Sequence, residues 1–277
     1  PYPPRPQGAT ASVDARRAGR VGWPVTRFVT PDRLAGLETD LAAIRRDIHR
    51  HPETAFEEVR TASIVAGRLE SWGLEVHRGI ATTGVVATLR GRRGAGRSIG
   101  LRADMDALHL DEKNDFAHAS VHAHRMHACG HDGHTAMLLG AARHLAADPD
   151  FAGTVHFIFQ PAEEDLGGAR AMIEQGLFER FPCDAIYGMH NMPGYRTGQF
   201  AIRPGPMMAA VDSWQVVFRG TGGHGAMPDR GTDPTFVAGQ FIAAVQGIVG
   251  RNVPSSQAAV LSVGHIAAGS AGSPNVI

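Results

Sequence analysis

Apolar residues in the first third of the chain follow helical spacing and then strand spacing. Between Thr30 and Glu53 they recur every three or four residues from Leu34 to Ile48, with Pro31 in the first turn, and this predicts an amphipathic helix. A second helical pattern begins at Phe56 and ends at Gly73. The runs "GVVATLRG" and "SIGLRADMD" are rich in residues that favour strands and do not alternate strictly, which is typical of buried strands.

Strands and helices then alternate as far as residue 191. The sequence predicts a helix that ends near Ala147, a strand in "GTVHFIFQ", a helix over 167–178 and a strand in "AIYG". This order predicts an α/β fold with a mainly parallel sheet covered by helices.

The last third has a different pattern, which predicts a second, partial α+β domain. An alternating stretch over 206–219 predicts a half-buried strand, and after a glycine-rich segment come a predicted helix over 236–250 and a strand over 258–266. We therefore expect a disordered or extraneous tail at 1–30, a main domain at 31–205 and an incomplete second domain at 206–277.

Charge balance, apolar content and cysteine count limit the classes of function that the protein can have. The 27 basic and 27 acidic residues balance, which argues against nucleic acid or an anionic membrane as the main partner. No apolar run approaches the roughly 20 residues of a membrane span. Cys129 and Cys183 are too few for a disulfide framework, and a reduced, cytoplasmic setting fits best.

Side chains that bind metals follow the predicted strands. Carboxyl ends of parallel strands meet at one edge of a sheet, so we expect these residues to converge. They are Asp104, Asp106, Cys129, His131, Glu163, Glu164 and His190. Cysteine, histidine and carboxylates are the ligand set of zinc, manganese, cobalt or nickel, and carboxylates can bridge two ions.

Spacing separates the roles within the cluster. Cys129 and His131 are two apart and can point the same way, whereas Asp132 falls at the start of a helix and fits a capping role. His134 is interpreted as a structural histidine rather than as a donor to a ligand, and His127 as supporting.

The adjacent pair Glu163 and Glu164 indicates a hydrolase. One carboxylate can bind metal while its free neighbour takes a proton from water.

The motifs "RADMDAL", "MHACGHDGHTAMLLGAA", "QPAEE", "GMHN" and "GGHGAMP" in this order resemble the M20 metallopeptidase family, in its branch of amidohydrolases that cleave N-acyl amino acids. The resemblance runs from about Leu34 to the last residue. It implies a zinc-peptidase-like sheet domain with two divalent ions, of manganese, zinc, cobalt or nickel. It also implies an inserted lid domain through which a homodimer forms.

The resemblance also implies residue roles. Cys129, His131, Glu164 and His190 match the metal ligands, and Glu163 matches the general base. His224 matches the residue that polarises the scissile carbonyl and stabilises the oxyanion, generally in the site of the partner subunit.

Two positions depart from the family pattern. Asp104-Met105-Asp106 stands where related peptidases have His-x-Asp, so both aspartates are supporting candidates only. His109 replaces an expected proline and is interpreted as a surface residue. Met207 and Met208 are interpreted as packing residues, with an acyl pocket as the alternative.

The expected activity is metal-dependent hydrolysis of N-acyl amino acids to a carboxylic acid and a free amino acid. The alternative follows from the last residue, Ile277, which precedes the segment where the family supplies a further histidine ligand. In that reading the protein is a truncated, catalytically impaired member that binds metal or dimerises without efficient turnover. A metal-storage module does not require "QPAEE", and the H-x-E and P-C-x-x-C motifs of zinc deaminases are absent.

Overall fold

The computed structural model describes residues 36–165, 167–269 and 272–277. The chain divides into two compact units between Thr197 and Gly198. The predicted tail at 1–30 lies outside the described residues, as do Thr30 and Pro31 at the start of the first predicted helix.

A five-stranded mixed sheet forms the first unit's centre, in the order β1-β2-β4-β3-β5. The strands are β1 (Glu75–Ile80), β2 (Gly84–Arg90), β3 (Ser98–Asp104), β4 (Thr154–Gln160) and β5 (Ala185–Gly188). β3 is parallel to β4 and β5, whereas β2 is antiparallel to β1 and β4. The predicted α/β class is confirmed, and the pairing is more mixed than the pattern indicated. The sequence did not predict β1, because half of its residues are charged or polar and Gly79 interrupts it.

Five helices accompany the sheet in the first unit's described part. They are α1 (Leu37–Arg50), α2 (Val59–Ser71), α3 (His131–Ala147), α4 (Gly168–Glu174) and α5 (Leu177–Arg180). The helix predicted over 167–178 is broken at Gly176, whose φ of 81° lies in the left-handed region that glycine adopts readily.

The core lies on both faces of the sheet, which explains the continuous apolar runs. Phe157 and Phe159 of β4 pack in a cluster with residues of α1, α2 and α3. Ile158 between them points to the opposite face and packs with Met172 of α4 and Leu177 of α5. Alternate side chains of one strand thus enter two separate clusters, as expected for a strand covered on both sides.

The chain passes very close to itself where α4 begins. The Gly168 N–H donates to the Ala162 carbonyl at 2.9 Å. A Cβ atom at Gly168 would lie 1.7 Å from the Pro161 carbonyl oxygen, so only glycine fits without a backbone shift. This contact fixes the loop that follows β4.

The described residues of the second unit contain one long helix, α6 (Pro234–Asn252), and a 3-10 turn at Pro228–Arg230. Asp233 caps α6, because its side chain accepts from the N–H groups of Thr235 and Phe236. The predicted strands over 206–219 and 258–266 are not found, although the structure describes both stretches. Their side chains are mostly exposed, and alternation alone supplies no hydrogen-bonded partner strand.

Among the described residues, no helix is both long enough and apolar enough to cross a bilayer.

Two helical glycines give a matched test of the close approach at α4. Gly168→Ala should lower the free energy of unfolding by at least about 1–3 kcal/mol, because the backbone of Pro161 must move. Gly67→Ala, in α2 with nothing within 4 Å of its Cβ, should raise it by about 0.5–1 kcal/mol. Chemical denaturation of both variants checks this, and equal effects would contradict it.

Candidate metal centre

The structure brings all seven predicted ligand-type residues to one edge of the first unit's sheet. Asp104 ends β3, His131 opens α3, and Glu163 and Glu164 follow β4. Three groups have ligand atoms that all lie within 4.8 Å of one another. They are Cys129 with His131 and His190, Asp104 with His131 and His134, and His131 with Glu163 and Glu164.

His131 belongs to all three groups and is fully buried. Its Nδ1 lies 3.2 Å from Asp106 Oδ1. Its Nε2 has no hydrogen-bond partner among the described residues and lies 3.6 Å from Glu164 Oε1 and 4.0 Å from Glu163 Oε2. Asp104 Oδ2 lies 3.7 Å from the same Nε2. One nitrogen is therefore held by a carboxylate while the other faces three acids, as in histidines that bind metal.

Cys129 and His190 complete the cluster. Cys129 Sγ lies 3.4 Å from His190 Nε2, and His190 Nδ1 lies 2.6 Å from the Asn191 carbonyl oxygen. Burial, followed by the negative charge of Glu164, raises the pKa of the Cys129 thiol to about 12. The surrounding charges thus disfavour another anion and favour a cation at this point.

The pKa values of Glu163 and His131 are also raised, in part by the negative charges around them. Burial and the charges of Asp104 and Glu164 raise the pKa of Glu163. Burial alone would lower the pKa of His131, but the hydrogen bond to Asp106 and the charge of Asp104 outweigh it and raise the pKa. The cluster therefore carries an excess of negative potential.

Two observations indicate that these residues fit a divalent metal ion. Buried polar groups normally have hydrogen-bond partners, yet His131 Nε2 and Glu164 Oε1 are both buried without one among the described residues. The donor set combines sulfur, imidazole nitrogen and carboxylate oxygen, as zinc and similar ions require. The residues that could hold metal thus include the four predicted ligands Cys129, His131, Glu164 and His190, and the same groups also contain Asp104, His134 and Glu163.

Asp106 and Asp104 contact the candidate ligands and their neighbours. Asp106 accepts from the Glu164 N–H at 2.9 Å besides its contact with His131. Asp104 Oδ2 accepts a hydrogen bond from Arg102 Nη1 at 2.7 Å, and Asp104 Oδ1 lies 2.6 Å from His134 Nδ1. Burial would raise the pKa of Asp104, but these two partners lower it. Both aspartates are thus buried carboxylates that orient their neighbours.

The predicted capping role of Asp132 is wrong. Gly130 holds the N-cap position of α3 with a φ of 89°, and no side chain caps the helix. Asp132 Oδ2 instead accepts from Arg45 Nε at 3.0 Å and lies 3.0 Å from His49 Nδ1. Asp132 therefore ties the start of α3 to α1.

The neighbouring histidines differ in their surroundings. His134, interpreted from sequence as structural, contacts Asp104 through Nδ1 and accepts the Asn191 N–H through Nε2 at 3.0 Å, so it belongs to the network around the cluster. His127 is buried and both its ring nitrogens lack a described partner, and burial lowers its pKa to about 4. His109 is exposed, as expected.

The sequence did not indicate Asn191 or Glu58 as residues of the site. Asn191 joins His134 to the segment of His190, and a Cβ at Gly130 would lie 2.7 Å from its side-chain amide. Its place directly after His190 in "GMHN" is the only signal that the sequence offers. Glu58 is fully buried, but in the sequence it stands in the polar stretch "FEEVR" without any distinguishing pattern.

The remaining predicted residues lie in the second unit. His224 is exposed, and its Nδ1 accepts from the Ala226 N–H at 3.1 Å while Nε2 lies 3.2 Å from Asn275 Nδ2. Met207 and Met208, for which packing was expected, are 49% and 59% exposed.

Known proteins similar to this chain include amide-cleaving enzymes. It is 47% identical over 238 residues to a hippurate hydrolase of Campylobacter jejuni, which covers 86% of this chain and 62% of that protein. It is 44% identical over 241 residues to an N-acetyl-L-cysteine deacetylase of Bacillus subtilis, covering 87% and 57%. The chain thus spans about three fifths of the length of these relatives.

A solved structure supports the same likeness. A dinuclear metal-binding peptidase of the M20 family from Bacillus subtilis matches with a TM-score of 0.61 and 39% identity, over 76% of this chain and 56% of that one. The model of peptidase family M20/M25/M40 matches residues 100–274, which include every candidate ligand. The chain therefore belongs to peptidase family M20/M25/M40.

Proposed function

We propose that this protein is a metal-dependent amidohydrolase that cleaves the amide bond of N-acyl amino acids to a carboxylic acid and a free amino acid. The names of the hippurate hydrolase and deacetylase relatives support the substrate class. The observation that carries the proposal is His131, whose Nδ1 is held by Asp106 while Nε2 faces Glu163 and Glu164.

Two divalent ions of manganese, zinc, cobalt or nickel form the proposed cofactor. Cys129, His131, Glu164 and His190 would hold them, with Asp104 and Asp106 as supports. When bound, the ions would lower the pKa of water and polarise the amide carbonyl.

Glu163 is the proposed general base. Its side chain is 43% exposed, whereas His131 beside it is fully buried, so both water and substrate can reach this carboxylate. Glu163 takes a proton from the attacking water and returns it to the nitrogen of the leaving amine. Its pKa, raised by burial and by the charges of Asp104 and Glu164, favours this exchange.

His224 is proposed to donate to the carbonyl oxygen as negative charge develops there. By resemblance it acts in the site of a partner subunit, so we propose a homodimer formed through a lid domain at 206–277. Residues 31–205 would form the catalytic domain and 1–30 a tail. Two free cysteines, one of them among the candidate ligands, favour a reducing compartment such as the cytoplasm.

Metal analysis combined with a hydrolysis screen tests the proposal. The protein loaded with each of the four metals is assayed on N-benzoyl and N-acetyl amino acids, with release of the free amino acid as the readout. Turnover that a chelator abolishes and metal restores supports the proposal. Metal binding without turnover would favour the impaired alternative. Neither binding nor turnover would contradict the proposal and would leave only the form of the alternative in which the protein dimerises without metal.

Glu163→Gln should retain metal but lower kcat by about 10²–10⁴-fold, because the base is lost while the ligands remain. Glu164→Gln is the matched control and should lose metal affinity. Calorimetric metal titration and kcat measured on both variants check this. An equal loss of metal in the two variants would reverse the assignment of the pair.

Cys129→Ser should weaken zinc binding by at least about tenfold, because a hydroxyl replaces a soft thiolate ligand. Cys183→Ser makes the same change away from the cluster and should leave the affinity unaltered. Zinc titration against a competing chelator measures both. Identical affinities in the two variants would show that Cys129 is not a ligand.

A further inference from the structure

Glu58 is a buried carboxylate that joins three separate segments. Its Oε1 accepts from the N–H groups of Phe56 at 3.1 Å and Ala162 at 2.9 Å. Its Oε2 accepts from the Thr83 hydroxyl at 2.5 Å. Glu58 precedes α2, yet its side chain does not cap that helix. All these contacts therefore serve the surrounding loops.

The backbone around Glu58 is unfavourable at each of the three segments. Phe56 and Ala162 have φ values of 60° and 49°, and Ala81 and Thr82, directly before Thr83, have 51° and 71°. Residues other than glycine rarely adopt this left-handed region, because Cβ approaches the backbone. In the described part of the chain only His124 shares the feature elsewhere. Such conformations persist where surrounding contacts hold them.

Ala162 is the important member, because Glu163 and Glu164 follow it directly. Hydrogen bonds that hold the described residues of this loop include Ala162 N–H to Glu58, Glu164 N–H to Asp106 at 2.9 Å, and Gly168 N–H to the Ala162 carbonyl at 2.9 Å. The dihedral angles at Ala162 thus decide in which direction the next two side chains leave the backbone.

We infer that Glu58 is a positioning residue: its carboxylate holds Ala162 in the left-handed conformation and so directs Glu164 and Glu163 toward His131. The inference rests on the proposed function for the roles of the two glutamates. Glu58 itself touches neither substrate nor metal ligand side chain.

A carboxylate at this position carries a cost in free energy as well as a gain. Burial raises the pKa of Glu58, and the like charge of Asp106 acts in the same direction. Burying such a group costs free energy that an apolar side chain of similar size would not. What the carboxylate supplies is an acceptor for three donors at fixed positions.

Variants at positions 58 and 162 test the inference in the full-length protein. Glu58→Leu should weaken Mn²⁺ binding about 10–100-fold, the usual effect of removing a group that orients ligands, and should lower kcat more than it changes KM. Glu58→Gln should stay close to the unaltered protein, because its amide oxygen can accept from both N–H groups and its NH₂ can donate to Thr83.

Adding Ala162→Gly to Glu58→Leu tests whether the conformation at residue 162 accounts for the lost affinity. Glycine adopts the left-handed conformation without steric cost, so the double variant Glu58→Leu/Ala162→Gly should recover at least about half of the lost Mn²⁺ affinity on a logarithmic scale. A role in stability alone predicts no such recovery. If Glu58→Leu does not fold, Glu58→Asp replaces it, because it keeps the charge but shortens the reach.

Glu53→Leu is the matched control. The Glu53 carboxylate also accepts two backbone N–H groups, of Arg60 at 2.9 Å and Thr61 at 2.8 Å, but makes no hydrogen bond to the described residues of the loop after β4. The Glu53→Leu variant should have a lower midpoint of thermal unfolding and an unchanged affinity for Mn²⁺. The inference is overturned if Glu58→Leu, or Glu58→Asp in its place, behaves like this control, or if Ala162→Gly restores nothing.

The two proposals fail in different ways. If the unaltered protein binds Mn²⁺ but hydrolyses no N-acyl amino acid, the proposed function is wrong, and the Mn²⁺ affinities of the variants still decide whether Glu58 directs Glu164.

Discussion

The concentration of negative charge at the strand ends, buried at Asp104 and Asp106, is the constraint on which the first unit depends. Asp104, Asp106, Glu163 and Glu164 surround one histidine, and repulsion among such groups must be offset. Protein donors offset only part of it, through Arg102, His134 and the N–H of Glu164. The remaining potential is the physical basis of the cation site, since a positive charge is what the cluster lacks.

The pairing of the strands brings these acidic residues to one edge of the sheet. β3 lies parallel to both β4 and β5, so the residues after these strands leave the sheet in one direction. α3 starts at the same edge and adds His131, and the N-terminus of a helix also favours anions nearby. Because separate elements each contribute one or two groups, no single segment could form the cluster alone.

The sequence predicted the ligand-type residues because their chemistry and their strand-end positions are both local properties. It failed where a role depends on a distant contact. Glu58 meets Ala162 at a separation of 104 residues, and Asp132 meets His49 at 83. No local pattern indicates such partners. The alternating stretches at 206–219 and 258–266 failed for a related reason, because a strand also needs a neighbour to accept its hydrogen bonds.

The polar strand β1 has a consequence for how the protein behaves in concentrated solution. It forms one edge of the sheet, where unpaired backbone groups offer a template for further strands. A register shift between Arg78 and Ile80 interrupts the ladder, and Arg78 and Glu75 form ion pairs along it with Glu70 and Arg90. An incoming chain would meet an irregular strand that carries charged side chains. The same polarity that hides β1 from pattern analysis thus guards this side of the sheet against self-association.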